Sequence, residues 1–166
     1  MKTLLLMRHG KSSWKDDSLK DFERPLKKRG KKDSIKIAKV IAKNNLTPDL
    51  ILSSSATRAR ETVDVVTETL EFQNRIVFHD ELYMGEPSDI ITAINNLSDD
   101  YNIVMIVGHN PGLEAYLQIV DGEIEALPTA GLGQLVLVLD SWKDLSFDTM
   151  GELIGFWTPK SLAEED

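Results

Sequence analysis

Short apolar runs alternate along the chain with segments that have the periodicity of helices. Residues 4–7 are continuously apolar, and 102–107 is nearly so, which is the pattern of strands buried on both faces. Further strands are predicted at 50–52, 75–79, 134–139 and 152–157. Apolar spacing and prolines predict helices over about 27–44, from after residue 55 to about 70, over 87–96 and over 111–120.

This alternation predicts an α/β fold, a three-layer α/β/α sandwich with a mostly parallel central sheet. The 166 residues suit one domain, which we expect to cover 1–162, followed by an acidic tail at 163–166. In the helix over 27–44, the spacing places Ile35, Ala38, Ile41 and Ala42 on one buried face.

Composition narrows the class of protein. The chain has no cysteine, which excludes disulfides, thiolate catalysis and cysteine-based zinc sites and favours a cytoplasmic location. No apolar run approaches the ~20 residues of a membrane span, and residues 3–7 are too short for a signal-peptide core. A net charge of −8 argues against wholesale binding to nucleic acid or anionic membranes.

The charge is unevenly distributed. Residues 11–43 carry 12 Lys and Arg against 5 Asp and Glu. This segment is either a basic rim that attracts an anionic substrate or acidic partner, or the solvated face of a helix, because its lysines recur at helical spacing.

Polar residues follow three of the predicted strands. In parallel sheets, ligands bind at the carboxyl ends of the strands. Arg8 and His9 follow the first strand, Arg58 lies in the first turns of the helix after the second, and His109 follows the strand over 102–107. Such a cationic cluster is stable only if an anion, or nearby carboxylates, balances it, and phosphate is the anion whose geometry suits arginine. No metal-ligand spacing is present, so we expect neither metal nor cofactor, and His79 is interpreted as a surface histidine.

Four motifs occur together: MRHG at 7–10, ERPLKKRG at 23–30, SSSATRARET at 53–62 and VGHNPGLE at 107–114. Together they resemble the histidine phosphatase superfamily, which has the phosphoglycerate-mutase-like fold. The short chain and the GHNPGLE form resemble its SixA-like phosphohistidine phosphatases.

The resemblance implies a role for each matching residue. His9 matches the nucleophile that becomes phosphorylated, and Arg8 and Arg58 match the arginines that hold the phosphoryl oxygens. His109 matches the second histidine of the pocket and would add charge when protonated. Glu81, in ELYMG, matches an acidic proton donor.

Other residues are expected near the substrate. Gly10 would adopt a backbone conformation that side chains disfavour and let the chain pass close to the phosphate. Asn110 and Arg24 are expected to contact substrate, Arg24 from the polar connection at the pocket mouth. Thr62 is interpreted as helix packing, and Thr129 would reach the site from the far edge of the sheet.

The expected function is a metal-independent phosphatase that acts through a phosphohistidine intermediate, with protein phosphohistidine as substrate. Only 22 residues separate the strands at 75–79 and 102–107, which leaves no room for a large lid. Two alternatives stay open: a phosphatase for small phosphate esters, and a phosphate-binding module without turnover. The expected partner is therefore a phosphorylated protein or a small ester, with no nucleic acid or membrane, and the oligomeric state is undetermined.

Overall fold

The computed structural model describes residues 1–122 and 126–162. The strands within these residues form one six-stranded sheet. The strand order is β3-β2-β4-β1-β5-β6. Neighbours from β3 to β1 pair in parallel, whereas β5 runs antiparallel between β1 and β6. The strands are β1 (Lys2–Arg8), β2 (Leu50–Ser54), β3 (Arg75–His79), β4 (Ile103–Gly108), β5 (Leu132–Leu137) and β6 (Gly151–Trp157).

Helices cover both faces of the sheet. They are α1 (Lys28–Lys43), α2 (Thr57–Leu70), α3 (Pro87–Asn95), α4 (Gly112–Asp121) and the short α5 (Pro159–Leu162). α1 and α2 pack on one face, and α3 and α4 pack on the other. The predicted three-layer α/β/α sandwich with a mostly parallel sheet is confirmed.

β1 lies in the middle of the sheet, between β4 and β5. Leu4 and Leu6 join the core under α3 and α4, whereas Leu5 and Met7 join the core under α1 and α2. All four are fully buried, and burial of each such side chain contributes about 1.5–3 kcal/mol. The continuous apolar run therefore fixes β1 in the core and brings its carboxyl end to the centre of the sheet edge.

The predicted buried face of α1 is wrong at two positions. Ile35 is 39% exposed and Ala42 is also exposed, whereas Ile37 and Ile41 are fully buried. The start of the helix sets this rotation, because Gly30 packs so tightly on the backbone of Lys11 that a Cβ there would lie 2.3 Å from the Lys11 carbonyl oxygen. Five lysines of α1 are exposed on the other sides of the helix, Lys28, Lys31, Lys32, Lys39 and Lys43.

The predicted acidic tail, 163–166, lies outside the described residues, and the single domain over 1–162 stays a prediction. Within the part of the chain that is described, no helix is long and apolar enough to cross a membrane.

Candidate active site

The carboxyl ends of β1 and β4 and the start of α2 surround one open cavity of about 370 Å³. Arg8 ends β1, His109 directly follows β4, and Arg58 is the second residue of α2. The structure thus brings together the four residues Arg8, His9, Arg58 and His109. Their cavity neighbours are Lys11, Ser12, Trp14, Asp21, Arg24, Lys27, Met84, Asn110 and Thr129.

His9 is held as a neutral ring with one free nitrogen. Its Nδ1 lies 2.7 Å from the Gly10 carbonyl oxygen, and because a carbonyl only accepts hydrogen bonds, Nδ1 carries the ring proton. Nε2 therefore has a lone pair, which receives only a long hydrogen bond of 3.4 Å from Arg58 Nε. Burial, reinforced by the charges of Arg58 and Arg8, lowers the pKa of His9 to about 4. The ring is neutral at pH 7, as a nucleophile requires.

The structural role of Gly10 differs from the one expected. Its φ lies outside the left-handed region, so no special backbone conformation explains it, and it does not line the cavity. A Cβ at Gly10 would lie 2.7 Å from the Gly30 carbonyl oxygen, so the glycine allows close packing on α1. Its carbonyl orients His9, and its N–H donates to Thr62 Oγ1 at 3.0 Å.

Thr62 does more than pack within its helix. While its hydroxyl oxygen accepts the Gly10 N–H, its hydroxyl proton goes to the Arg58 carbonyl oxygen at 2.7 Å. Thr62 is fully buried. It therefore joins the loop that carries the nucleophile to the first turn of α2.

His109 lies beside His9, with 5.0 Å between the ring centroids. Its Nε2 is 2.8 Å from Ser54 Oγ, which also accepts the Ala56 N–H at 3.2 Å. The Ser54 hydroxyl proton can then go to His109 Nε2, which leaves the ring proton on Nδ1. Burial, then the neighbouring His9 and Arg58, lower the pKa of His109 to about 3. The His109 ring is therefore neutral at pH 7 in this structure, and its protonation beside a phosphoryl group stays a prediction.

Arg8 and Asn110 converge on the carbonyl of Leu127. Arg8 Nη1 donates to it at 3.2 Å and Asn110 Nδ2 at 2.9 Å. Glu114 accepts hydrogen bonds from Asn110 Nδ2 and from the Leu127 N–H. Burial lowers the pKa of Arg8, and the nearby Glu114 carboxylate opposes this effect. This network holds Arg8 at the cavity wall.

Arg58 is anchored from the other side by Asp21. Arg58 Nη1 donates to the Asp21 carbonyl oxygen at 2.6 Å, and Nη2 donates to Asp21 Oδ2 at 3.0 Å. The Tyr83 hydroxyl donates to the same carboxylate oxygen. This hydrogen bond from Tyr83, together with Arg58, lowers the pKa of Asp21 to about 2, so Asp21 is a carboxylate at neutral pH. The anchoring turns Arg58 Nε towards His9.

Arg24 lines the cavity as expected. Its side chain is buried, its guanidinium carbon lies 3.3 Å from the ring centroid of Trp14, and its Nε donates to Asp21 Oδ1 at 3.2 Å. Thr129 also lines the cavity. The connection from β1 to α1 therefore closes one side of the pocket.

Glu81 does not reach this cavity. Its side chain is 75% exposed and lies 3.8 Å from Nδ1 of His79, which is itself half-buried rather than fully at the surface. The residues around it belong to a separate hollow beside α3. The structure thus gives no support to the expected proton donor at Glu81.

Four buried side-chain nitrogen and oxygen atoms have no hydrogen-bond partner among the described residues, and all four belong to residues that line the cavity. Three are nitrogens, one on each of Arg8, Arg24 and His109, and the fourth is Oδ1 of Asn110. An unsatisfied buried group costs about 1–3 kcal/mol. Unused donors beside two fixed arginines are the arrangement that binds an oxyanion. In the same described ranges, no three His, Asp or Glu side chains are placed to hold a metal ion.

Sequence reasoning missed the anchoring residues. Glu114 lies only four positions after Asn110, in the first turn of the following helix, so this pair is local in the sequence and had a detectable signal. Asp21 had none, because it lies in an aperiodic connection and acts through a contact with Arg58, 37 positions away.

Comparison with known proteins supplies a second line of evidence. The model of the histidine phosphatase superfamily (branch 1) matches residues 4–83. An uncharacterized chloroplastic protein of Arabidopsis thaliana is 33% identical over 172 residues, which cover 98% of this chain and 78% of the relative.

Two solved structures share the fold over nearly the whole chain. The candidate phosphohistidine phosphatase SixA of Agrobacterium tumefaciens is 31% identical with a TM-score of 0.82, over 95% of this chain and 98% of that one. The protein histidine phosphatase SixA in complex with tungstate also has a TM-score of 0.82, at 19% identity, over 96% of this chain and 99% of the other.

Proposed function

Because the chain belongs to the histidine phosphatase superfamily, in its SixA-like branch, we propose that it removes the phosphoryl group from phosphohistidine on proteins through a phosphorylated His9. The protein is a phosphatase by family. The proposal adds the nucleophile, the residues around it and the class of substrate.

The unpartnered buried donors of the cavity carry this proposal. A phosphoryl group offers three oxygens that accept hydrogen bonds, and Arg8 Nε and His109 Nδ1 are available to donate to them. Arg58 has further N–H groups beyond those held by Asp21. Hydrogen bonds to a bound phosphate would satisfy these groups and so remove the free-energy cost of leaving them unpaired.

The first step is attack by His9 Nε2 on the substrate phosphorus. The new bond joins Nε2 to phosphorus and the phosphorus–nitrogen bond of the substrate breaks. The substrate ring, which carries a proton on its other nitrogen, keeps the electron pair of that bond and leaves as neutral imidazole. Negative charge on the three phosphoryl oxygens is stabilised by Arg8 and Arg58, and this positioning is the main source of catalysis in phosphoryl transfer. Binding of the dianion also raises the pKa of His109, which strengthens it as a donor.

The second step is hydrolysis of phosphorylated His9. Water attacks phosphorus, the bond to Nε2 breaks, and inorganic phosphate leaves the neutral ring ready for another cycle. The leaving group of the first step is an imidazole, which depends less on a proton donor than an alkoxide does. The position of Glu81 outside the cavity is therefore compatible with a phosphohistidine substrate.

The rim of the cavity favours a protein as substrate. Trp14 and Met84 line the mouth and are 72% and 49% exposed, and Phe22 beside Tyr83 is 36% exposed. Exposed apolar groups around a charged cavity are suited to contact another protein surface. A histidine side chain presented from that surface can enter the open pocket.

Brief exposure to a protein carrying radiolabelled phosphohistidine tests the proposal. The wild type should acquire acid-labile phosphate and release inorganic phosphate, whereas His9→Ala should do neither. His79→Ala, which removes a histidine outside the cavity, is the matched control and should be labelled like the wild type. Labelling of His9→Ala, or a wild type that ignores phosphohistidine while it rapidly hydrolyses a small phosphate ester, would contradict the proposal.

A further inference from the structure

The cavity has a second wall that the proposed reaction leaves unused. Its side chains come from the connection between β1 and α1, residues 11–27, whereas the phosphoryl-binding residues come from the ends of strands and helices. Three cations belong to this wall, Lys11, Arg24 and Lys27. They line the same cavity as His9. When the phosphoryl group of a substrate is bound beside His9, a different part of the substrate therefore lies next to these three cations.

The Arg24 side chain is held in one position but still has an unused hydrogen-bond donor. The side chain is 7% exposed, one face of its guanidinium stacks on Trp14 and its Nε edge binds Asp21. Its Nη1 is buried and has no partner in the described part of the chain. A guanidinium held in one orientation with a free edge is preorganised to bind an oxyanion.

Lys11 and Lys27 lie side by side at the rim. The Lys27 N–H donates to the Lys11 carbonyl oxygen at 2.9 Å, and Ser12 and Leu26 form the next bridge between the two ends of the connection. Both lysine side chains are exposed and line the cavity. They place two more positive charges on the side of Arg24.

The charges around the cavity require more than one anion. Five cationic side chains and one carboxylate line it, and both histidines are neutral at pH 7. A phosphoryl group brings about two negative charges at most. Even with Glu114 behind Arg8, positive charge remains in excess, and an excess in a partly buried site favours a further anion.

We propose that Lys11, Arg24 and Lys27 form a second anion site, which binds a carboxylate of the substrate protein close to its phosphohistidine. The inference rests on the proposed function and specifies its substrate class. The exposed mouth of this wall at Trp14 admits a polypeptide segment, and aspartate or glutamate supplies the anionic oxygens. The enzyme then prefers phosphohistidines that have an acidic neighbour.

Two peptides test this preference. They share one sequence with a phosphohistidine and differ only in an adjacent Asp or Asn. We expect the wild type to show about tenfold higher kcat/KM on the Asp peptide, the factor that one charge-assisted hydrogen bond supplies. In Arg24→Gln and in Lys27→Gln this ratio should fall towards one. Lys43→Gln removes the same charge at the far end of α1 and should keep the ratio of the wild type.

The outcomes separate the two proposals. Equal kcat/KM for both peptides in the wild type overturns the second anion site and leaves the phosphatase function intact. Turnover of neither peptide, with no phosphate on His9, overturns both. Vanadate inhibition gives a further check: if Arg24→Gln weakens it as much as Arg58→Gln does and keeps the peptide ratio, Arg24 belongs to the phosphoryl site and the inference is overturned. Exposed Lys27 keeps the test valid should Arg24→Gln fail to fold.

Discussion

Acid should destabilise the folded protein between pH 7 and pH 5 because two histidines are buried in their neutral form. Burial lowers the pKa of His9 to about 4 and that of His109 to about 3, against an ordinary value of 6.5 in the unfolded chain. Between these values the unfolded state binds more protons than the folded state, so stability falls as pH falls. Full stability is present above pH 6.5.

The size of the loss follows from linkage. From pH 7 to pH 5 each of the two histidines becomes charged in the unfolded chain and stays neutral in the folded protein, which costs about 2 kcal/mol per ring. Together His9 and His109 remove about 4 kcal/mol, a large part of the ~5–15 kcal/mol that stabilises an ordinary domain. Coupling between the two rings changes this little, because neither is charged in the folded state at pH 5. Asp21, with a pKa of about 2, contributes only at lower pH.

Urea denaturation at the two pH values measures the effect as the difference in the free energy of unfolding. The variant His9→Gln/His109→Gln keeps polar side chains that cannot titrate, and it should lose most of this difference whatever its stability at pH 7. His79→Gln is the matched control: it removes a histidine that lies outside the cavity, so this variant should retain the wild-type difference.

Equal pH dependence in the wild type and the double variant would refute the reasoning, because it would mean that neither ring is held neutral by the fold. A second readout uses vanadate. The anion favours the charged form of His109, so saturating vanadate should restore part of the stability lost at pH 5.

Three further predictions concern single contacts. Arg58→Lys cannot keep the guanidinium contacts to Asp21 and the phosphoryl group, so kcat/KM on a phosphohistidine protein should fall about 10²–10³-fold in steady-state assays; a change below threefold would remove Arg58 from the mechanism. Thr62→Val leaves the buried Gly10 N–H without an acceptor and should lower the free energy of unfolding by about 1–3 kcal/mol in urea titrations, and an unchanged midpoint would contradict this contact. Glu81→Gln should change kcat on phosphohistidine less than about threefold, because Glu81 lies outside the cavity, and a loss as large as that expected of a missing general acid, about 10²-fold or more, would reinstate it as the proton donor.

The sheet and its functional edge could largely be predicted from the sequence. β1 and β4 are continuous apolar runs because helices cover both faces of the sheet, and this pattern needs no knowledge of distant contacts. The rule that ligands bind at the carboxyl ends of parallel strands then brings His9 and His109 together.

Other features depend on contacts that periodicity does not encode. β5 runs antiparallel to β1, and no residue within the strand indicates this direction. Trp142 lies in a segment that reads as a polar turn, yet it is fully buried and its indole N–H donates to the Tyr101 carbonyl oxygen at 2.8 Å. The predicted role of Gly10 was wrong because Gly30, which it contacts in the fold, is 20 positions away in the sequence.

The double hydrogen bond of Thr62 links parts of the chain that lie 52 positions apart, the Gly10 amide and the backbone of Arg58. We expect a shift of α2 relative to the sheet to pull the nucleophile's loop with it, which would limit changes in the distance between the His9 imidazole and the Arg58 guanidinium. A hydroxyl group suits this position because it accepts one hydrogen bond and donates another at the same time. The buried Thr62 hydroxyl, which does not line the cavity, thus helps to hold His9 and Arg58 in their relative positions.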